Sequence, residues 1–106
     1  MKILRYEIYL VKLNPTIGSE IQKTRPCIVI SPDEMNILNT VIIAPLTSRG
    51  FNFVFRPKIT FQNRDGLVLL DQIRTVDKKR LVKKLGRVDD NKAKEISNTL
   101  VEMFEY

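Results

Sequence analysis

A chain of 106 residues, 43% of them hydrophobic, can hold one compact core but not two, so residues 1–106 read as a single domain and not as a disordered chain. Eighteen Lys and Arg against twelve Asp and Glu leave a net charge of +6, which favours anionic partners such as nucleic acid, acidic peptides or membrane surfaces without choosing among them. There is no histidine, which excludes Cys/His zinc centres, Ser-His-Asp and Cys-His nucleophiles and paired-histidine acid/base chemistry; catalysis must use carboxylate, arginine, lysine, hydroxyl or backbone groups.

The opening run MKILRYEIYLVKL is apolar but broken by Arg5, Glu7 and Lys12, and no small-residue cleavage site follows it. It is therefore expected to be neither a signal peptide nor a membrane span, and the expected location is cytoplasmic. The single cysteine, Cys27, cannot form an internal disulfide, which agrees with a reducing compartment. Within this run Ile8, Leu10 and Lys12 alternate with Tyr9, Val11 and Leu13, a strand pattern apolar on much of both faces. The turn formers Asn14, Pro15 and Gly18 stop it, leaving a long loop from Asn14 to Thr24.

The run PCIVI, Pro26 to Ile30, predicts a short buried strand that Pro26 opens. Ser31, Pro32 and Glu34 have the spacing of a helix start and predict one helical turn, and TVIIAPL, Thr40 to Leu46, predicts a second buried strand. Phe53 to Phe61 reads as one or two strands with Pro57 as an edge or break. Arg64, Asp65 and Gly66 read as a hairpin turn into a strand over Leu67 to Ile73, and Arg80 to Val88 as a basic strand. Ala93, Ile96, Leu100, Met103 and Phe104 then recur at helical spacing, with Asp89 or Asp90 as cap. Five to seven strands and one helix predict a mostly β domain, a small, strongly curved antiparallel barrel with a C-terminal α-helix.

Three stretches suggest chemistry. GSEIQKTRPCIVIS places Glu20, Lys23 and Arg25 on a loop that ends in a buried strand; a rigid element there would fix the Arg25 guanidinium as an anion binder, with Glu20 on the same loop. APLTSRG leaves Thr47 and Ser48 where an apolar strand releases the chain. Hydroxyls there commonly cap turns, but if the two strands pair, Thr47 approaches Arg25 and a phosphate site results. In LLDQIRTVDKKRLVKKLGR, Gln72 offers a donor and an acceptor suited to a base edge, while Asp71 is either a buried turn former or a second carboxylate. Nine of the eighteen cations lie between Arg74 and Lys94, read as a solvated face or an anion surface. Cys27 reads as core, as do Tyr6, Tyr9, Phe51, Phe53 and Phe55 by alternation, with base stacking open to Phe51 and Phe53.

Taken together, NPTIGSEIQKTRPCIVIS, VIIAPLTS, DGLVLLDQIRTVDKKRLVKKLG and the final helix resemble the MazF/PemK family of toxin-antitoxin ribonucleases, over nearly the whole chain and at the family's spacing. The resemblance implies an SH3-like barrel of the CcdB/MazF/Kid type that forms a homodimer. It also implies metal-independent, sequence-selective cleavage of single-stranded RNA with no cofactor, giving 2′,3′-cyclic phosphate and 5′-hydroxyl ends, and neutralisation by an antitoxin with an acidic segment of the MazE kind. Arg25 matches the family's catalytic arginine, Thr47 the phosphate-binding threonine and Glu20 a glutamate proposed as general base. Ser19 and Gln72 match positions that contact RNA, and Ser48 adjoins Thr47 as a further RNA-binding candidate.

Asp71 matches an aspartate with an acid/base role in the Kid branch, but the arginine two residues before it there is Leu69 here, so that role is not carried over. The family's usual Gly-Asp at the strand opening is Tyr6-Glu7, a change expected at the first turn or the dimer contacts near it, and the short SRGFNFVFRP loop leaves the RNA sequence open. One rival is a non-catalytic barrel like the gyrase-poisoning CcdB toxins, which act through a helix ending in Trp-Gly-Ile; this chain ends VEMFEY and has no tryptophan. The other is a plain nucleic-acid-binding barrel, in which Glu20 would weaken phosphate binding.

Overall fold

Alternation of β-branched and aromatic residues over short runs builds the sheet of this protein. The computed structural model describes residues 2–106. Its strands are β1 Glu7–Lys12, β2 Thr24–Val29, β3 Thr40–Thr47, β4 Lys58–Phe61, β5 Arg64–Val68, β6 Arg74–Asp77 and β7 Leu81–Arg87, followed by the helix α1 Asp90–Phe104. Short 3₁₀ turns cover Asp33–Ile37, Leu70–Gln72 and Lys78–Arg80.

The seven strands pair antiparallel in the order β4-β5-β3-β2-β1-β7, with β6 also on β3, as a curled half-barrel. β3 is the hub. Its first half, Thr40 to Ile43, pairs with β6, while Leu46 and Thr47 at its end pair with Val68 and Leu67 of β5. β2 joins it through Cys27↔Pro45, Ile28↔Ala44 and Val29↔Ile43. Pro26 lies inside β2, where the sequence suggests only a strand opening; β2 pairs with β3 only from Cys27 onward, so the missing N–H breaks no ladder there.

Period-two alternation divides the apolar residues between the two faces of the sheet. Tyr9, Val11, Leu13, Cys27, Val29 and Ile43 pack on one face. Ile8, Ile28, Ala44, Leu46 and Val68 pack on the other, where Ala93 and Ile96 of α1 cover them. Asp89 caps that helix by accepting the Lys92 N–H at 2.8 Å. No helix among the described residues is long and apolar enough to cross a membrane.

Several elements depart from the expectation. The β4–β5 hairpin turns at Gln62 and Asn63, both left-handed with φ of 52° and 61°, while Arg64, Asp65 and Gly66 belong to β5. Phe53 to Phe55 form a turn closed by the Arg56 N–H on the Phe53 carbonyl at 2.9 Å, so only Lys58–Phe61 remains as strand. Leu67 to Ile73 does not continue as one strand: after Val68 the Leu69 N–H goes to the Pro45 carbonyl, and a 3₁₀ turn follows. Phe51 and Phe53 are exposed, not core, and Phe104 is 68% exposed at the end of α1.

At Tyr6 the backbone adopts φ 69°, its N–H donates to the Val29 carbonyl at 2.7 Å and its carbonyl accepts the Val88 N–H at 2.9 Å. The left-handed turn that a glycine would make without strain is kept by a tyrosine. Glu7 is 5% exposed beside it and is fully engaged. Its carboxylate accepts the Leu4 N–H at 2.7 Å and the Tyr9 hydroxyl at 3.3 Å and pairs with the Lys84 ammonium at 2.5 Å.

Candidate active site

The β2–β3–β5 junction decides which polar groups meet. Arg25 lies near the start of β2, two residues before its pairing with β3 begins, Thr47 ends β3 with Ser48 next after it, and Arg64 opens β5 across the hairpin from Phe61. These four residues line one cleft of about 150 Å³, floored by Leu46, Ile59 and Phe61. Side-chain alternation along β5 puts Arg64 on the same face as Gly66, which lies against the Thr47 backbone.

The Arg25 Nε–H donates to the Gln22 carbonyl at 3.2 Å, which orients the guanidinium, and Arg25 forms no ion pair among the described residues. The Thr47 hydroxyl accepts the Arg49 N–H at 3.1 Å, so it caps the turn and retains its own proton as a donor. Two guanidiniums and two hydroxyls surround a small cleft that the Asp65 carboxylate, bonded by the Thr60 hydroxyl at 2.8 Å, also lines; the cations outnumber it, and the array has the size and chemistry to take a phosphodiester. Arg64 was hidden in the sequence as a presumed turn residue; only the register Phe61↔Arg64 reveals it.

Glu20 does not line that cleft. With Ser19 and Gln72 it lines a second one, of about 420 Å³, together with Ile21, Asp71 and Arg74. Its carboxylate accepts the Ile17 N–H at 2.5 Å, closing a small turn, and the second oxygen has no protein partner among the described residues. The Gln72 side-chain oxygen accepts the Ile21 N–H at 2.7 Å, which leaves its amide N–H₂ as the group free for a ligand.

The loop carrying Ser19 to Arg25 is held from a distance. The Arg74 guanidinium donates to the Leu13 carbonyl at 3.0 Å, and that of Arg80 to the Lys12 and Asn14 carbonyls at 3.0 and 2.6 Å. Two of the cations that read as part of a solvated face therefore satisfy carbonyls at the end of β1 and the start of the loop that follows it. A larger cleft of about 820 Å³ adjoins the first through Ser48, Asp65 and Gly66 and carries Arg49, Lys58, Arg87 and Lys92. Arg87 and Lys92 are offset there by Asp90 and Glu95.

Asp71 is neither a free carboxylate nor a buried turn former. It takes a two-pronged ion pair from Arg56, Nε to Oδ1 at 2.9 Å and Nη2 to Oδ2 at 2.8 Å. That hydrogen-bonded guanidinium holds the Asp71 carboxyl below its ordinary range despite partial burial, so Asp71 is ionised and no proton donor near neutrality. Asp71 therefore has an arginine partner although position 69 is leucine, and that partner, Arg56, comes from the preceding loop. Cys27 is buried, and burial pushes its thiol up to about 12, which agrees with a core role.

The chain is 36% identical to the Endoribonuclease MazF of Staphylococcus saprophyticus over 103 residues, 91% of this chain and 86% of that one. In fold it is similar to the crystal structure of MazF from Deinococcus radiodurans, with a TM-score of 0.86 at 21% identity, covering 100% of this chain and 99% of that one. It is also similar to a mycobacterial endoribonuclease in complex with its cognate antitoxin, with a TM-score of 0.79 at 22% identity, covering 94% and 92%. The family model described as the PemK-like, MazF-like toxin of type II toxin-antitoxin systems matches residues 4–104, and the chain belongs to that family.

Proposed function

We propose that this toxin-family chain is an endoribonuclease that cuts single-stranded RNA at the cleft lined by Arg25, Thr47 and Ser48. The observation that carries the reading is the convergence at a strand junction of an unpaired guanidinium, oriented by the Gln22 carbonyl, with two hydroxyls. In the reaction the RNA's own 2′-hydroxyl attacks the adjacent phosphorus. One proton leaves the nucleophile, charge builds on the phosphorane oxygens, and the 5′-oxygen departs with a proton, giving a 2′,3′-cyclic phosphate and a 5′-hydroxyl.

A guanidinium stays charged at neutral pH and presents a rigid fork of donors, so Arg25 stabilises the phosphorane and Thr47 donates to a non-bridging oxygen. Arg64 adds positive charge to the same cleft. Glu20 is the proposed base through the carboxylate oxygen not held by Ile17. It lines a separate cleft, so an RNA strand laid across both must bring the 2′-hydroxyl to it, and catalytic hydrogen bonds commonly tighten only with substrate bound. Ser19, Ser48 and Gln72 are the proposed RNA contacts, and the basic cleft beyond Ser48 continues the phosphate track.

The partners that fit are single-stranded RNA and a cognate antitoxin whose acidic segment meets the +6 surface. A homodimer is proposed as well, with Val101 and Phe104, 60% and 68% exposed on α1, as apolar surface open to a second copy. The test is cleavage of a long single-stranded RNA in EDTA, beside Arg25→Ala and Glu20→Gln, with fragment ends analysed. Cyclic-phosphate ends at fixed short sequences are expected. Glu20→Gln should lower the rate roughly 10²- to 10⁴-fold as a lost base, and Arg25→Ala, which removes both phosphate positioning and charge stabilisation, by more. Arg25→Ala cutting at the wild-type rate, or cleavage of RNA carrying 2′-deoxy at the cut position, refutes the mechanism.

A further inference from the structure

The loop between β3 and β4 holds an arrangement that the cleavage chemistry does not use. Arg56, whose side chain is only 13% exposed, is fixed by its two bonds to Asp71, and its guanidinium lies 4.9 Å from the centre of the Phe51 ring and 6.0 Å from that of Phe53. Phe53 packs edge-on to Phe51 at 6.5 Å and to Phe55 at 5.8 Å. Phe51 is nevertheless 69% exposed. The ring rests on a guanidinium that a carboxylate holds in place, and most of the residue is open to solvent.

The arrangement abuts the cleft. Gly50, with φ of 116°, is wedged so that a Cβ there would lie 3.4 Å from an Arg56 nitrogen and 4.0 Å from the Thr47 methyl group. Arg56 therefore reaches the turn that Thr47 caps through one small residue. The nearby cations Arg49 and Lys58 make no ion pair among the described residues. A flat apolar face beside unpaired cations and a phosphate-sized cleft suits an unstacked nucleobase, which offers a π-face at any sequence while its backbone takes the charges.

We propose that Phe51 is a stacking platform for one base of the RNA beside the cut, and that Arg56 and Asp71 are positioning residues that hold the platform. The proposal rests on the RNA-cleavage reading for its substrate class, and its test is separate from cleavage. The chain has no tryptophan, so Phe51→Trp introduces a single indole fluorophore on the platform. Short, fluorescein-free 2′-O-methyl RNA of mixed sequence, which lacks the nucleophile, is titrated into that variant; a labelled copy of the same RNA gives affinity by anisotropy.

Quenching of the indole on binding is expected, with affinity at or above wild type. Phe51→Leu should weaken binding by roughly five- to a hundredfold, as loss of one stacked base does, with the loss in cleavage falling on KM and not on kcat. Arg56→Gln should weaken binding in the same direction and diminish the quenching in the Phe51→Trp background. Phe51→Leu combined with Arg56→Gln should bind no worse than Phe51→Leu alone, since both act through one ring. Melting curves show that each variant is folded, and Phe51→Trp keeps the test open if Phe51→Leu is not.

Binding without quenching, or wild-type affinity in folded Phe51→Leu, overturns the proposal; the latter is also the result expected of a ring that serves a protein partner. Additive losses in the double variant overturn the positioning role of Arg56. If the protein binds and quenches but cuts no RNA, the platform stands and the nuclease reading falls. If it cuts RNA without quenching, the platform falls alone.

Discussion

Gly66→Ala adds one methyl group at the point where β5 comes closest to the end of β3. A Cβ at Gly66 would lie 2.6 Å from the Thr47 carbonyl oxygen, far inside the 3.4 Å at which ordinary contact begins, and 3.8 Å from the Ser48 Cα. The obstructing atom is backbone and cannot swing aside like a side-chain end. Relief must come from displacing β5 from β3 beside the Leu67↔Thr47 pair, or from moving Thr47 and Ser48 themselves. Inserting a methyl into a packed site costs about 1–3 kcal/mol. For a chain of this size each kcal/mol lowers Tm by about 4 °C, so a fall of about 4–12 °C is expected by differential scanning. The same displacement moves the Thr47 hydroxyl relative to Arg25, and a misplacement approaching 1 Å costs catalysis about 10²-fold. At a temperature where the variant is folded, kcat/KM on a fluorogenic RNA should therefore drop by about one to two orders of magnitude. An unchanged Tm with unchanged cleavage would refute the close-packing account of this junction, whereas a lowered Tm with full activity would show that the Thr47 backbone does not set the cleft.

Asp89→Ala removes the cap on the Lys92 N–H and should cost about 1 kcal/mol, read as a lowered urea midpoint with an unchanged slope. Glu7 gives a pH dependence of definite sign. Burial alone would raise its carboxyl, but the bonds from Lys84, Leu4 and Tyr9 outweigh that and leave it below the ordinary 4.5. Its contribution is therefore complete above 4.5, where the unfolded carboxyl is also ionised, and is lost as pH falls through the lowered folded value. Glu7→Gln should be less stable than wild type at neutral pH and lose less stability on acidification, measured by denaturant midpoints across that range; parallel acid profiles would contradict the assignment. With its thiol pushed up to about 12, Cys27 should resist alkylation by iodoacetamide in the folded protein and react at once in denaturant. Fast native labelling would place it at the surface.

Local pattern alone made much of this protein legible. Alternating residues from Ile8 to Leu13, the apolar runs at Cys27 to Ile30 and Val41 to Leu46, and the spacing of Ala93, Ile96 and Leu100 marked the strands and the helix, because those periods are properties of neighbouring residues. Arg25 before Pro26 and Thr47 after an apolar strand could be singled out because each sits where a rigid element ends. Only the tertiary structure decided what faced what. Asp65-Gly66 has the composition of a turn, yet the chain turns at Gln62-Asn63 and uses Gly66 for its lack of a side chain against Thr47, a demand made by a strand about twenty residues away. Asp71 found its guanidinium fifteen positions away at Arg56, and Arg74 and Arg80 reached back 61 and 66 to 68 positions to carbonyls where β1 ends. The division of Arg25 with Thr47 from Glu20 with Gln72 into separate clefts was likewise set by the fold. Hydrophobic period is written into adjacent residues, whereas polar partners are chosen by sheet register and by the need to satisfy every buried donor and acceptor, and these exist only once the chain has closed on itself.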